Sequence, residues 1–161
     1  MLLIRLLTRP FPAWYNAGMT IGTDRYRQLT AHRHRRVGQE AFVEEVLLDT
    51  AQLAKAVVDI ASDKKASDVV LLDIRDMTVI ADYFVICSGS NSRQIKAIAD
   101  TIDDELGKQG AGLLHREGTA DSGWMLLDFG SVIVHIFGTK EREYYRLERL
   151  WSEAKTVVYL Q

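Results

Sequence analysis

Apolar positions along this chain change period several times, and each change marks an element. From Asp49 onward, Leu53, Val57 and Ile60 recur at helical spacing, with Ala54, Ala56 and Ala61 filling the stripe. That spacing predicts a helix capped by Asp49 and ending near Lys64–Ala66. Val69–Ile74 (VVLLDI) reads as a buried strand, Asp73–Thr78 as a polar turn, and Tyr83–Ser88 (YFVICS) as a second strand rich in aromatic and β-branched residues. Gly89-Ser90-Asn91-Ser92 breaks that strand, and Ser90 or Ser92 can cap the helix that follows. Its apolar stripe is Ile95, Ile98, Ala99, Ile102 and Leu106, with Gly107 and Gly110 suited to its end.

A short strand is expected near Leu113–His115 and a loop over Gly118–Gly123. Trp124–Phe129 and Val132–Phe137 then read as a hairpin, because Gly130-Ser131 is a two-residue turn with glycine first. That turn sets Asp128 opposite Ile133 and Leu126 opposite His135. Alternation places Trp124, Leu126, Asp128, Ile133, His135 and Phe137 on one face and a wholly apolar set on the other. Thr139 is expected to cap one last helix. On its wheel Tyr144, Leu147, Leu150, Trp151 and Ala154 form a core arc, and Tyr145 falls away beside Glu141, Glu148 and Ser152. The element order predicts an α/β fold, a mixed β-sheet flanked by helices.

Charge divides the chain. Residues 1–40 carry seven arginines against two acids, contain both prolines and lack a sustained period. They read as a basic N-terminal extension: a targeting peptide, a disordered arm touching RNA, or an overlong start. Residues 41–161 hold 13 bases and 20 acids, a net of −7. Such a domain suits a basic protein partner better than a phosphate backbone. Apolar runs are too short to span a membrane, and a single cysteine, Cys87, rules out an internal disulfide.

Candidate chemistry is sparse. A Gly-Ser between strand and helix opens nucleotidyltransferase sites, but those need converging carboxylates to hold metal. Here Asp100, Asp103 and Asp104 fall on a helix mostly off its apolar stripe, and the later strand offers only Asp128. No catalytic, cofactor or metal set is assigned. Asp128 and His135 are either buried and hydrogen-bonded, to each other or to backbone, or part of a binding face.

The strings KKASDVVLLDI, ADYFVICSGSNSRQIKAIAD, GWMLLDFGSVIVHIF and EREYYRLERLW together resemble the ribosome-silencing factor (Iojap) family, in order, over Asp49–Ala154. The resemblance implies a small nucleotidyltransferase-like domain without catalytic carboxylates and without a cofactor. It implies a cytoplasmic regulator, or an organellar one if residues 1–40 are a transit peptide. Such a regulator binds the large ribosomal subunit through ribosomal protein number fourteen, blocks subunit joining and lowers translation under nutrient limitation. The family's contact tryptophan matches Trp124, its contact tyrosine Tyr145, and its acidic strand position Asp128. Leu126 and Glu148 complete the expected partner-binding set. Where the family commonly has Asp before that tryptophan and after the turn glycine, this chain has Gly123 and Ser131. A metal-dependent nucleotidyltransferase and a module that self-associates through the hairpin face are the alternatives.

Overall fold

The computed structural model describes residues 49–161. The expected basic extension, residues 1–40, and residues 41–48 lie outside the described residues. Helix α1 spans Thr50–Asp63 and buries Leu53, Ala54, Val57, Val58 and Ala61. Asp49 holds the N-cap position but makes no side-chain cap bond. Two strands follow, β1 (Ser67–Asp73) and β2 (Tyr83–Gly89).

Helix α2 (Ser92–Lys108) buries the expected stripe of Ile95, Ile98, Ala99, Ile102 and Leu106. Its cap is Asn91 rather than either flanking serine. The Asn91 side chain accepts from the Gln94 N–H at 2.9 Å. The Gln94 side chain in turn accepts from the Ser90 N–H (2.7 Å) and hydroxyl (2.8 Å), so Ser90 is drawn into a reciprocal bond.

The chain continues through β3 (His115–Thr119), a 3₁₀ turn at Ala120–Ser122, β4 (Trp124–Asp128) and β5 (Val132–Gly138). The third strand therefore starts where it was expected to end and runs into the segment read as a loop. Gly118, at φ +77°, lies inside it. The β4–β5 register matches the sequence expectation, with Asp128 opposite Ile133 and Leu126 opposite His135. Gly130 has φ +86°, while Ser131 has no positive φ. A positive φ at the first of the two turn residues suits a glycine-first two-residue hairpin, and the Phe129 N–H donates to the Val132 carbonyl at 2.9 Å across it.

The C-terminal region departs from expectation. The single helix read from Thr139 to Ala154 is two short helices, α3 (Thr139–Tyr145) and α4 (Leu147–Leu150), with a sixth strand, β6 (Lys155–Leu160), after them. Arg146 separates the helices in the left-handed conformation, φ 46° and ψ 51°.

The six strands form one sheet in the order β3-β4-β5-β2-β1-β6. The central pair, β2 and β5, is parallel, and every other pairing is antiparallel. Both central strands are buried along their whole length, which explains their unbroken apolar runs. Alternation sends Val69, Leu71, Val85, Cys87, Met125, Leu127, Val134 and Ile136 into one core with α1 and α2. Phe84, Ile86, Asp128, His135 and Phe137 take the second face.

Candidate partner-binding face

On the second face an aromatic layer crosses the sheet. Trp151 meets Phe84 edge-on at 5.1 Å, and Phe84 meets His135 edge-on at the same distance. Trp124 packs on Phe137 and on Tyr145, each with ring centroids 4.6 Å apart. Tyr144 stands edge-on to Tyr145 at 4.9 Å. Edge-to-face and tilted contacts of this kind add to the energy of area burial.

The two tyrosines exchange the roles read from the helical wheel. Tyr144, expected in the core arc, is 55% exposed, while Tyr145, expected off the core, is half-buried against Trp124. The cause is the break at Arg146. With only seven residues in α3, the face that meets the sheet is fixed by where β5 ends. Leu147 starts a new helix and is fully buried. Trp151 is half-buried rather than a central core residue.

Two expected site residues are deeply placed. Trp124 is 1% exposed, and its indole N–H donates to His135 Nδ1 at 3.3 Å. Accepting at Nδ1 places the proton of a neutral imidazole on Nε2. Burial, with a lesser contribution from the Arg142 charge, depresses the His135 pKa to about 3, so the ring is neutral at physiological pH. Asp128 is also buried, and its Oδ1 accepts from the Gly130 N–H at 2.7 Å, which ties the carboxylate to the hairpin turn. Leu126 is half-buried on the same face.

Glu148 does not extend freely as an acidic contact. It pairs with Arg142, whose Nε donates to Glu148 Oε1 at 2.6 Å. The same guanidinium donates to Ser88 Oγ at 3.1 Å and to the Asp68 carbonyl at 2.9 Å. Arg142 therefore ties α3 and α4 to β1 and β2. This clamp was not legible in the sequence, since its anchors lie 54 and 74 residues away along the chain.

Gly123, the position without the family's usual acid, has φ +73° and lies under the side chain of Glu141. A Cβ there would sit 2.3 Å from Glu141 Cδ, and one at Gly138 would sit 2.5 Å from Glu141 Oε2. The Gly138 N–H donates to the Gly123 carbonyl at 2.7 Å, closing the open end of the hairpin. A carboxylate from α3 thus occupies the space beside the hairpin that a side chain at 123 would otherwise fill.

The carboxylates of α2 do not converge with Asp128 of β4. Asp100 accepts from Lys96 and from Arg116, each at 2.5 Å, and Asp103 lies 3.9 Å from Arg116. The Lys96 bond first, then Arg116, holds the Asp100 pKa below its ordinary value. These acids belong to α2, on the opposite side of the sheet from Asp128. Among the described residues no group of three or more His, Cys, Asp or Glu could hold a metal ion. Cys87 is buried in the α1–α2 core, and burial pushes its thiol up to about 12. Among the described residues no helix is long and apolar enough to cross a membrane.

A family model described as "Ribosomal silencing factor during starvation" matches residues 48–161. The chain belongs to this family. It is 39% identical over 110 residues to the ribosomal silencing factor RsfS of Halalkalibacterium halodurans, covering 68% of this chain and 94% of that one. It is 34% identical over 113 residues to the chloroplastic protein Iojap of Zea mays, covering 70% of this chain and 47% of that one. A crystal structure of a Chromobacterium violaceum protein superposes with a TM-score of 0.63 at 27% identity, covering 69% of this chain and 94% of that one. A Bacillus halodurans structure does so with a TM-score of 0.60 at 37% identity, covering 67% and 98%. The sequence resemblance and the α/β fold class are thereby borne out. The family's description is that of a translational regulator acting on ribosomes.

Proposed function

We propose that this silencing factor binds the large ribosomal subunit through ribosomal protein number fourteen, using the β4–β5 face and α3–α4. Bound there, it sterically blocks joining of the small subunit and represses translation when nutrients are short. Occlusion requires no bond making, so the protein acts without catalysis and without a cofactor. The observation that carries this reading is the aromatic layer running from Trp124 through Tyr145 to the exposed Tyr144. Buried aromatics beneath a partly exposed rim are the usual anatomy of an interaction hot spot.

Within that reading, Leu126 and Tyr145 touch the partner directly and Trp124 supports Tyr145 from below. Asp128 fixes the hairpin turn. Glu148, held by Arg142, sets the position of α4 and offers its remaining carboxylate oxygen to a basic group. The factor works where its ribosomes are: the cytoplasm, or an organelle if residues 1–40 are a transit peptide. The test is sedimentation with purified subunits. The expected result is pelleting with large subunits and not small ones, with fewer whole ribosomes when the protein is added before mixing. Equal pelleting with both subunits would refute it. Nucleotide transfer that depends on a divalent metal and is lost in Asp128→Ala would favour the enzymatic alternative instead.

A further inference from the structure

Helix α3 reads Thr-Lys-Glu-Arg-Glu-Tyr-Tyr, so Glu141 stands between two cations in the sequence. Neither neutralises it. The Arg142 guanidinium is turned to Glu148, Ser88 and the Asp68 carbonyl. Asp73, Asp100, Asp103, Glu105 and Glu148 all pair with Lys or Arg, whereas Glu141 enters no ion pair among the described residues. It is also half-buried. Its carboxylate is wedged against Gly123 and Gly138, where an added Cβ would strike it. The backbone of the hairpin's open end therefore seats this acid beside Trp124.

Tyr144 and Tyr145 follow three and four residues later, the spacing that brings side chains of one helix face together. The Tyr145 ring leans on Trp124, and the exposed Tyr144 ring stands to it at 89°. The charge of Glu141 is felt at Tyr145. Burial first, then Tyr144 and Glu141, hold the Tyr145 phenol above its ordinary pKa. The phenol stays neutral at physiological pH, and the carboxylate supplies the charge. A half-buried carboxylate beside two rings set at a right angle suits a cation, because the oxygens take N–H donors and the ring faces attract positive charge.

We propose that Glu141, Tyr144 and Tyr145 form a seat for an arginine side chain of the protein partner. The proposal rests on the ribosome reading for the identity of that partner, and it adds Glu141 and Tyr144 to the contact set. A guanidinium is planar, so one face lies on a tyrosine ring while its N–H edge forks onto the carboxylate. An ammonium has no face to stack and holds its water more strongly. A phosphate or an acidic side chain is repelled, both by Glu141 and by the net −7 of residues 41–161. Glu148 does not compete for the arginine, since Arg142 already holds it.

Two measurements on the full chain test this. The first is affinity for purified large subunits across salt. Glu141→Gln keeps the shape of the side chain, so the melting temperature should hold while affinity falls about tenfold and its salt dependence weakens. Glu143→Gln removes an exposed acid of the same helix and should change affinity less than about twofold. The second is an NMR titration with Nα-acetyl-arginine amide. It should shift the ring signals of Tyr144 and Tyr145 in the wild type and not in Glu141→Gln. The lysine amide should do so more weakly, and the neutral citrulline amide not at all. Equal effects of the two Gln variants on subunit affinity overturn the proposal and leave the ribosome reading standing. No shift with the arginine amide, or equal shifts with citrulline or lysine, overturn it too. A wild type that ignores large subunits but binds the arginine amide through Glu141 supports the seat and removes only the ribosome reading.

Discussion

Replacing Arg142 by methionine keeps the aliphatic stem and removes the guanidinium that joins α3 to α4, β1 and β2. Three charge-assisted contacts are lost, to Glu148, Ser88 and the Asp68 carbonyl. Ser88 is 3% exposed and would lose its Arg142 donor. The Arg142 side chain is only 12% exposed, but that of Glu148 is 32% exposed, so solvent recovers part of the loss. Breaking a fully buried pair costs about 3–5 kcal/mol, and this partial exposure lowers the expectation to about 2–4 kcal/mol. For a chain of this size that is a fall in Tm of about 10 °C. The assay is urea unfolding of Arg142→Met, Glu148→Gln and the double variant. Expected coupling between the two sites is about 1–2 kcal/mol. If the single effects simply add, or Arg142→Met costs less than about 1 kcal/mol, the clamp is not an energetic unit. Glu148 would then be free to act as a plain acidic contact.

Trp124→Ala should cost about 3–5 kcal/mol of stability, because the residue is 1% exposed. Although the resemblance matches Trp124 to the family's contact tryptophan, its burial makes loss of folding the larger effect. Tyr145→Ala should cost less stability than Trp124→Ala, and isothermal titration against the isolated ribosomal protein should show the larger relative loss of affinity at Tyr145. The His135 pKa is depressed to about 3 from an ordinary 6.5, so the unfolded chain binds a proton that the fold refuses. Its stabilising contribution is complete above about pH 6.5 and is lost as pH falls toward 3, with a slope approaching about 1.4 kcal/mol per pH unit. Urea unfolding from pH 7 to pH 5 should show this slope, and His135→Phe should flatten it. Gly123→Ala should destabilise by about 2 kcal/mol, from positive φ and from contact with Glu141. Adding Glu141→Ala should recover the contact part and leave about 1 kcal/mol of backbone strain, read by thermal melting.

What the sequence determined by itself was whatever rests on short-range periodicity. The stripe of α2, the bounds of β2 and the register of the β4–β5 hairpin all follow from apolar spacing and a turn that only glycine suits. In each case the local preference and the final packing agree. The four matching strings also made the family legible, since they keep order and spacing over most of the described residues. The cap of α2 was within reach, because asparagine is as good a cap as serine, but three candidates in a row cannot be ranked without the backbone.

The C-terminal region was decided by tertiary structure. Residues 139–154 carry a helical period with no glycine or proline, so nothing local marks a break at Arg146. The left-handed turn there exists because Leu147 is buried, Arg142 is clamped to β1 and β2, and β6 must return to pair with β1. The β-branched run Thr156-Val157-Val158 was the one signal that could have revealed β6. The exchange of Tyr144 and Tyr145 follows from the same break, since the phase of a seven-residue helix is set by the strand that feeds it. Long-range anchors of this kind leave no period in the sequence, because the residues that meet are separated by most of the domain.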